Sequence, residues 1–148
     1  MTLKLKPTGK LQKLVVDTNI LVSSILGRSY PHRIVFDLVF ANRVLLFISP
    51  EILNEYRGVL SRVKFQQKIG FYTAAEKLLD SIQETSITII PGFSLKLLPD
   101  ESDNKFLELA LSCQADFVIT GNSKHFPMGK FENTEIISPE KYWNTYWK

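Results

Sequence analysis

The stretch Leu14-Val15-Val16-Asp17-Thr18-Asn19-Ile20-Leu21-Val22 places a carboxylate at the end of an apolar run. The run Leu14–Asp17 has the continuous apolar character of a buried parallel strand. A charged side chain at the end of such a strand is costly unless another group compensates for it. Because open α/β sheets bind their ligands beyond the carboxyl ends of their strands, Asp17 is a candidate site residue.

Strand and helix patterns alternate along the rest of the chain. Further apolar runs predict strands over residues 44–49, 87–90, 117–120 and 136–137. Helical periodicity predicts helices over residues 19–26, 32–42 and 105–113, and others that begin near residues 50, 73 and 139. This alternation predicts a three-layer α/β/α sandwich with a central, mainly parallel sheet.

Three helix starts have recognisable capping sequences. Ser49-Pro50-Glu51 and Ser138-Pro139-Glu140 each combine an N-cap hydroxyl, a proline at the first helical position and an acid that faces the helix dipole. Thr73-Ala74-Ala75-Glu76 fits a capping box. We therefore expect helices to begin at all three points.

Length and composition indicate one globular domain. The chain has 148 residues, which predicts a single domain over residues 13–148 after a flexible basic leader over residues 1–12. No apolar run approaches the roughly 20 residues of a membrane helix, so we expect no membrane association. With a single cysteine, Cys113, an internal disulfide is excluded and a cytoplasmic location is expected.

Four further polar residues are expected near Asp17, at the same edge of the sheet. Asp100 and Asp103 precede a helix that starts from that edge, and Asn122 follows the strand that ends at residue 120. Glu55 lies on the third helix, about 40° outside the apolar stripe, and so faces the sheet. Taken singly, Asp17 and Asp103 could be only helix caps, and Glu55 a solvated helix acid.

Three carboxylates that converge on one point repel one another. Two unit charges ~4 Å apart cost about 4 kcal/mol at an effective dielectric of ~20. Such a cluster is stable only with protonated members or a cation, and oxygen ligands favour Mg²⁺ or Mn²⁺. We therefore interpret Asp17, Glu55 and Asp103 as catalytic metal ligands for phosphoryl transfer to water.

A basic segment follows Glu55 along the chain. The net charge of +3 depends on four lysines that precede the first strand, because without them 14 basic residues face 15 acidic ones. No acid occurs between Tyr56 and Ala75, and that segment is a candidate RNA-binding patch or, equally, a solvated helix end. Its basic residues are Arg57, Arg62, Lys64 and Lys68. His125, in the loop after Asn122, is a candidate phosphate contact, but we interpret it as a structural residue.

The sequence resembles the PIN-domain family of metal-dependent ribonucleases, and in particular its toxin components of bacterial type II toxin–antitoxin systems. Four stretches carry the resemblance in order and spacing. They are Val15-Val16-Asp17-Thr18-Asn19-Ile20-Leu21, Ser49-Pro50-Glu51-Ile52-Leu53-Asn54-Glu55-Tyr56, the segment from Asp100 to Ala110, and the segment from Ala115 to Phe126.

The resemblance implies a site and a set of partners. The family's first three acids fall on Asp17, Glu55 and Asp103, and Thr18 and Asn19 match polar positions that order the site. Its fourth acid falls on Asn122, so a second ion would need help from Asp100 or from the substrate. The resemblance further implies an RNA substrate, an antitoxin partner and a homodimer. The alternative is a catalytically weak PIN-like domain that binds RNA or a partner.

Overall fold

The computed structural model describes residues 9–148, apart from the side chain of Val63. Its strands are β1 (Lys13–Val16), β2 (Leu45–Ile48), β3 (Ile87–Thr88), β4 (Phe117–Ile119), β5 (Lys130–Phe131) and β6 (Thr134–Ile137). Its α-helices are α1 (Thr18–Leu26), α2 (Tyr30–His32), α3 (Pro50–Leu60), α4 (Val63–Gln66), α5 (Phe71–Thr85), α6 (Asn104–Cys113) and α7 (Pro139–Tyr146). A π-helix (Arg33–Val39) continues α2, and 3₁₀ turns cover Glu101–Asp103 and Ser123–His125.

The strands form one sheet in the order β3-β2-β1-β4-β6-β5. All neighbouring strands are parallel except β5, which pairs antiparallel with β6. β1 lies at the centre, where Leu14 pairs with Leu46 on one side and Phe117 on the other. The predicted α/β sandwich with a central, mainly parallel sheet is confirmed, and it brings the ends of β1 and β4 side by side.

The core forms around the sheet and the helices that flank it. In the predicted helix over residues 32–42, the expected apolar face is buried, and Ile34 and Leu38 have no exposed surface. Helical periodicity does not reveal that this segment is a π-helix. There the backbone N–H of Phe40 donates to the carbonyl of Val35, five residues earlier.

Two of the three predicted helix caps are confirmed. The Ser49 hydroxyl accepts from the N–H of Ile52 at 3.1 Å, and the Ser138 hydroxyl accepts from the N–H of Lys141 at 3.2 Å. The capping box at Thr73 is wrong, because α5 already begins at Phe71. Gly70, at a φ of 79°, provides the left-handed turn into α5, which glycine adopts without steric cost.

The two edges of the sheet differ from the prediction. β3 is shorter than the predicted strand over residues 87–90, and the hairpin of β5 with β6 was not predicted. β6 starts at Thr134, whose hydroxyl donates to the carbonyl of Ala115 at 2.6 Å. Most of the expected leader, residues 1–8, lies outside the described residues, although Gln12 at its end is buried. Within residues 9–148 we find no helix with the length and apolarity needed to span a membrane.

Candidate metal centre

Asp17 occupies the junction between the ends of β1 and β4. Its backbone N–H donates to the carbonyl of Ile119 at 2.9 Å. Its Oδ2 accepts from the hydroxyl of Thr120 at 2.7 Å, and that hydroxyl in turn accepts from the N–H of Asn122 at 3.1 Å. Asp17 is only 6% exposed. The fold therefore holds this carboxylate in one orientation at the carboxyl ends of the central strands.

The surroundings of Asp17 disfavour its charge. Burial raises the pKa of Asp17 above its usual value, whereas the hydrogen bond from Thr120 and the N–H of Thr18 lower it. The nearby charge of Glu55 also raises this pKa. Although Asp17 precedes α1, its side chain makes no capping bond. Helix capping therefore does not explain the acid.

Glu55 reaches the end of β1 from α3. The hydroxyl of Thr18 donates to Oε2 of Glu55. The adjacent residue, Tyr56, is fully buried, and its hydroxyl donates to the carbonyl of Val16 at 2.6 Å. This bond joins α3 to the last residue of β1. Because Glu55 lies on α3 and Asp17 follows β1, the bond fixes the positions of the two acids relative to each other.

Lys105 is a site residue that the sequence reasoning missed. Its Nζ lies 2.6 Å from Oε1 of Glu55, and the side chain is only 10% exposed. The same ammonium also donates to the carbonyl of Ser102. The available signal is a lysine next to Phe106 and Leu107 in an otherwise buried helical turn, where lysine is rarely found without a partner.

Asp103 ends the 3₁₀ turn before α6 and is 7% exposed. It makes no side-chain capping bond. Within residues 9–148, its buried Oδ2 has no aligned hydrogen-bond donor, even though Nδ1 of His125 lies 2.9 Å away. We treat this contact as an electrostatic one, because the distance is short but the N–H direction is unsuitable for a hydrogen bond.

The electrostatics of Asp103 connect it to the other acids. Burial raises the pKa of Asp103, and His125 lowers it. The charges of Asp17, Asp100 and Glu55 raise it further. The three acids that the sequence analysis selected therefore act on one another within one region of the structure.

Asp100 and His125 border Asp103 at a more exposed position. Oδ1 of Asp100 accepts from both the hydroxyl and the N–H of Ser102, at 2.7 and 2.9 Å, and these bonds lower the pKa of Asp100. One ligand atom each of Asp100, Asp103 and His125 lies within 4.8 Å of the other two. His125, interpreted from sequence as a structural loop residue, therefore contacts the site.

The remaining predicted residues have different surroundings. Thr18 is buried, Asn122 is half-buried after β4, and Asn19 is exposed on the first turn of α1. The candidate RNA-binding residues are all exposed, from the last turn of α3 to the segment before α5. They are Arg57, Arg62, Lys64 and Lys68. Arg57 also lines a cavity of about 370 Å³ between α3 and α5, which none of the site acids borders.

Comparison with known proteins identifies the family to which the chain belongs. A family model described as the PIN domain matches residues 13–124. The chain belongs to the PIN-domain family. An uncharacterized protein of Methanocaldococcus jannaschii is 29% identical over 110 residues, which are 74% of this chain and 70% of that protein. PIN domains are generally metal-dependent nucleases.

A solved structure shares the PIN fold. It is the crystal structure of VapBC2 from Rickettsia felis bound to a DNA fragment from their promoter. The match has a TM-score of 0.56 at 19% identity and covers 86% of this chain and 98% of that chain. At this level of identity, the likeness shows the fold alone.

The residues of this PIN domain fit a divalent cation. The site offers carboxylate oxygens and one imidazole nitrogen, which are ordinary ligands for such ions. Among the described residues, the buried Oδ2 of Asp103 has no aligned hydrogen-bond donor, and a buried acceptor without one is rare in a folded protein. A cation would satisfy this oxygen and offset the charges that raise the pKa values of Asp17 and Asp103.

Proposed function

We propose that this PIN-domain protein is a metal-dependent endoribonuclease that hydrolyses RNA phosphodiester bonds. One observation carries the proposal: Asp17 and Asp103 are buried acids with raised pKa values, and each is affected by the charge of Glu55. A fold that only needed stability would gain from replacing them with neutral residues. Retaining buried acids at a ligand-binding edge of the sheet is typical of a catalytic site.

The proposed roles follow from the contacts. Asp17, Glu55 and Asp103 would hold Mg²⁺ or Mn²⁺, which when bound lowers the pKa of water and stabilises phosphate charge. Thr120 orients the carboxylate of Asp17, and Thr18 orients that of Glu55. Asn122 adds no charge, so the site carries less negative charge than one with a fourth acid would.

Lys105 adds a fixed positive charge beside Glu55. In the proposed site, it positions the carboxylate of Glu55 and keeps the acids together before an ion binds. Like Asn122, it reduces the total negative charge. Both features favour one divalent ion over two among Asp17, Glu55 and Asp103.

Recognition of RNA is assigned to the exposed basic segment. Lysine and arginine side chains contact phosphates without reading the base sequence. This role is proposed for Arg57, Arg62, Lys64 and Lys68, which are all exposed.

The proposal extends to the biological setting. We infer that residues 13–148 act as one nuclease domain after the leader, in the cytoplasm and as a homodimer. We also infer that the protein is the toxin of a toxin–antitoxin pair, whose antitoxin blocks the acidic site. This rests on the sequence resemblance, and the fold shared with VapBC2 is in keeping with it.

A second candidate function is favoured by two observations. Asn122 stands where a fourth acid is common, and Lys105 occupies part of the site with a positive charge. Both would suit a domain that binds RNA or a partner protein and cleaves slowly or not at all.

RNA cleavage with analysis of the product ends tests the proposal. Wild-type protein should cut a mixed RNA pool in Mg²⁺ or Mn²⁺, and EDTA, Asp17→Asn and Glu55→Gln should each stop the reaction. Because water and not the ribose 2′-hydroxyl attacks, the products should carry no 2′,3′-cyclic phosphate. Cyclic phosphate ends, or cleavage that persists in EDTA, would refute the proposed mechanism. RNA binding without any cleavage would favour the second candidate.

A further inference from the structure

The loop after β4 contributes an imidazole to the edge of the acidic site. His125 lies in the 3₁₀ turn Ser123–His125, and its side chain is 42% exposed. Its Nδ1 lies 2.9 Å from Oδ2 of Asp103. The ring is thus within reach of solvent on one side and of a buried carboxylate on the other.

The contact between these two atoms has the spacing of two ligands of one ion. In the part of the chain that the structure describes, Oδ2 of Asp103 has no aligned hydrogen-bond donor, so His125 does not satisfy it as a donor would. In an octahedral site with metal–ligand distances near 2.1 Å, adjacent ligand atoms lie about 3.0 Å apart. The observed distance of 2.9 Å agrees with this spacing.

Asp100 brings a carboxylate close to both of these atoms. Both bonds from Ser102 go to its Oδ1, at 2.7 and 2.9 Å, and hold the carboxyl group in place. Oδ2 of Asp100 accepts no hydrogen bond from within residues 9–148. It is therefore free to bind a metal ion. A ligand atom from each of the three residues lies within 4.8 Å of the others.

We propose that Asp100, Asp103 and His125 form a mixed oxygen–nitrogen site that binds a first-row transition-metal dication in preference to Mg²⁺. Mg²⁺ selects oxygen ligands, whereas an imidazole nitrogen favours transition metals. The site shares Asp103 with the acids assigned to RNA cleavage. Its use in that reaction rests on the proposed function, but its metal binding does not.

Pulsed electron paramagnetic resonance of bound Mn²⁺ tests the site directly, because it detects nitrogen bonded to the metal. The wild-type protein should show a coupling to one imidazole nitrogen, and His125→Ala and His125→Gln should remove it. Both variants should bind Mn²⁺ at least about tenfold more weakly, while their affinity for Mg²⁺ changes little.

The chain offers a matched control in its other histidine, His32. Nδ1 of His32 lies 3.0 Å from the carbonyl of Ser24, and its ring stacks on Phe36, neither of which is a site acid. His32→Ala should leave the nitrogen coupling unchanged. Circular dichroism of each variant checks that it is folded.

The outcomes separate this proposal from the proposed function. Bound Mn²⁺ without nitrogen coupling, or a coupling that persists in both His125 variants, would overturn the mixed site even if RNA is cleaved. Coupling that depends on His125 would support the mixed site even if no RNA is cleaved.

Discussion

Two groups of residues meet at the candidate metal centre, and they are held in different ways. The inner acids, Asp17 and Glu55, each have donors from the chain, which are the hydroxyls of Thr120 and Thr18 and the ammonium of Lys105. The outer group, Asp100, Asp103 and His125, includes a buried oxygen without an aligned donor. The fold thus orients the inner acids before any metal ion binds. In the outer group it leaves an oxygen that a metal ion could occupy.

The largest expected effect is the loss of activity when an inner acid is neutralised. Asp17→Asn keeps the shape and the bond from Thr120 but removes the charge that would hold a cation. We expect RNA cleavage to fall by roughly 1,000-fold, which corresponds to about 4 kcal/mol of transition-state stabilisation. Initial cleavage rates at saturating Mn²⁺ measure the loss, and a rate within tenfold of wild type would remove Asp17 from the metal centre.

The same substitution should change how stability depends on pH. The folded-state pKa of Asp17 is raised above 3.8, so the protonated acid stabilises the fold below that pH. This stability is lost as the pH rises through the folded-state pKa. In EDTA at pH 7, Asp17→Asn should therefore have a higher Tm than wild type, and the difference should shrink at low pH.

Asp100→Asn is the matched control for this pH dependence. The pKa of Asp100 is lowered, so its contribution is present at neutral pH and is lost as the pH falls. Its substitution should not raise the Tm at pH 7. Thermal unfolding in EDTA across the pH range compares the two variants, and equal behaviour would contradict the opposite pKa shifts of Asp17 and Asp100.

The next effect concerns the ammonium that holds Glu55. Lys105→Met leaves Glu55 without its partner at a position where both side chains are mostly buried. We expect the apoprotein to lose about 3 kcal/mol of unfolding free energy, since breaking a buried ion pair leaves an uncompensated charge. Mn²⁺ should restore more stability to this variant than to wild type. Urea unfolding in EDTA and in Mn²⁺ measures both effects.

Lys96→Met is the control for Lys105→Met. Lys96 is exposed. It lies close to Lys105, because both side chains line one surface cavity. Its substitution should leave the unfolding free energy within about 0.5 kcal/mol of wild type. Equal losses in the two variants would mean that the pair of Lys105 with Glu55 does not stabilise the acids.

A smaller effect is expected from the hydroxyl that orients Asp17. Thr120→Val preserves the shape and removes the 2.7 Å bond to Oδ2 of Asp17. Outer partners of metal ligands typically contribute 10- to 100-fold, so we expect about a tenfold loss of affinity for Mn²⁺. Calorimetric titration with Mn²⁺ measures it. An unchanged affinity would show that metal binding by Asp17 does not depend on the hydroxyl of Thr120.

The smallest effect is expected in the exposed basic segment, which belongs to neither group. Combined Lys64→Ala and Lys68→Ala should raise KM for RNA a few-fold, leave kcat unchanged and weaken the salt dependence of binding. Lys141 is an exposed lysine on α7 and serves as the control, as Lys141→Ala should change none of these values. A fall in kcat in the double variant would argue against a role limited to phosphate contacts.

The sequence was sufficient for the fold because its strands are short apolar runs separated by helix signals. Leu14-Val15-Val16 identified the central strand, and Ser49 and Ser138 identified two helix starts. The hairpin of β5 was missed because its two residues, Lys130 and Phe131, carry no periodic signal. The start of α5 was missed because the left-handed φ of Gly70 determines it, and no capping side chain does.

The candidate site was only partly accessible to sequence reasoning. Asp17 and Asp103 follow from their positions at element ends, which the parallel sheet brings to one edge. Lys105 and His125 cannot be predicted in this way. Lys105 contacts Glu55, which is 50 positions away in the chain, and His125 contacts Asp103, which is 22 positions away. Local patterns cannot supply such distances.

The most direct test of the central claim compares RNA cleavage by wild type and Asp103→Asn as free Mn²⁺ is titrated. Asp103 is common to the acidic set and the outer group, so both parts of the centre depend on it. We expect wild-type cleavage to rise with Mn²⁺, to stop in EDTA and to be lost in Asp103→Asn at every Mn²⁺ concentration. Equal cleavage by the two proteins, with or without Mn²⁺, would contradict it.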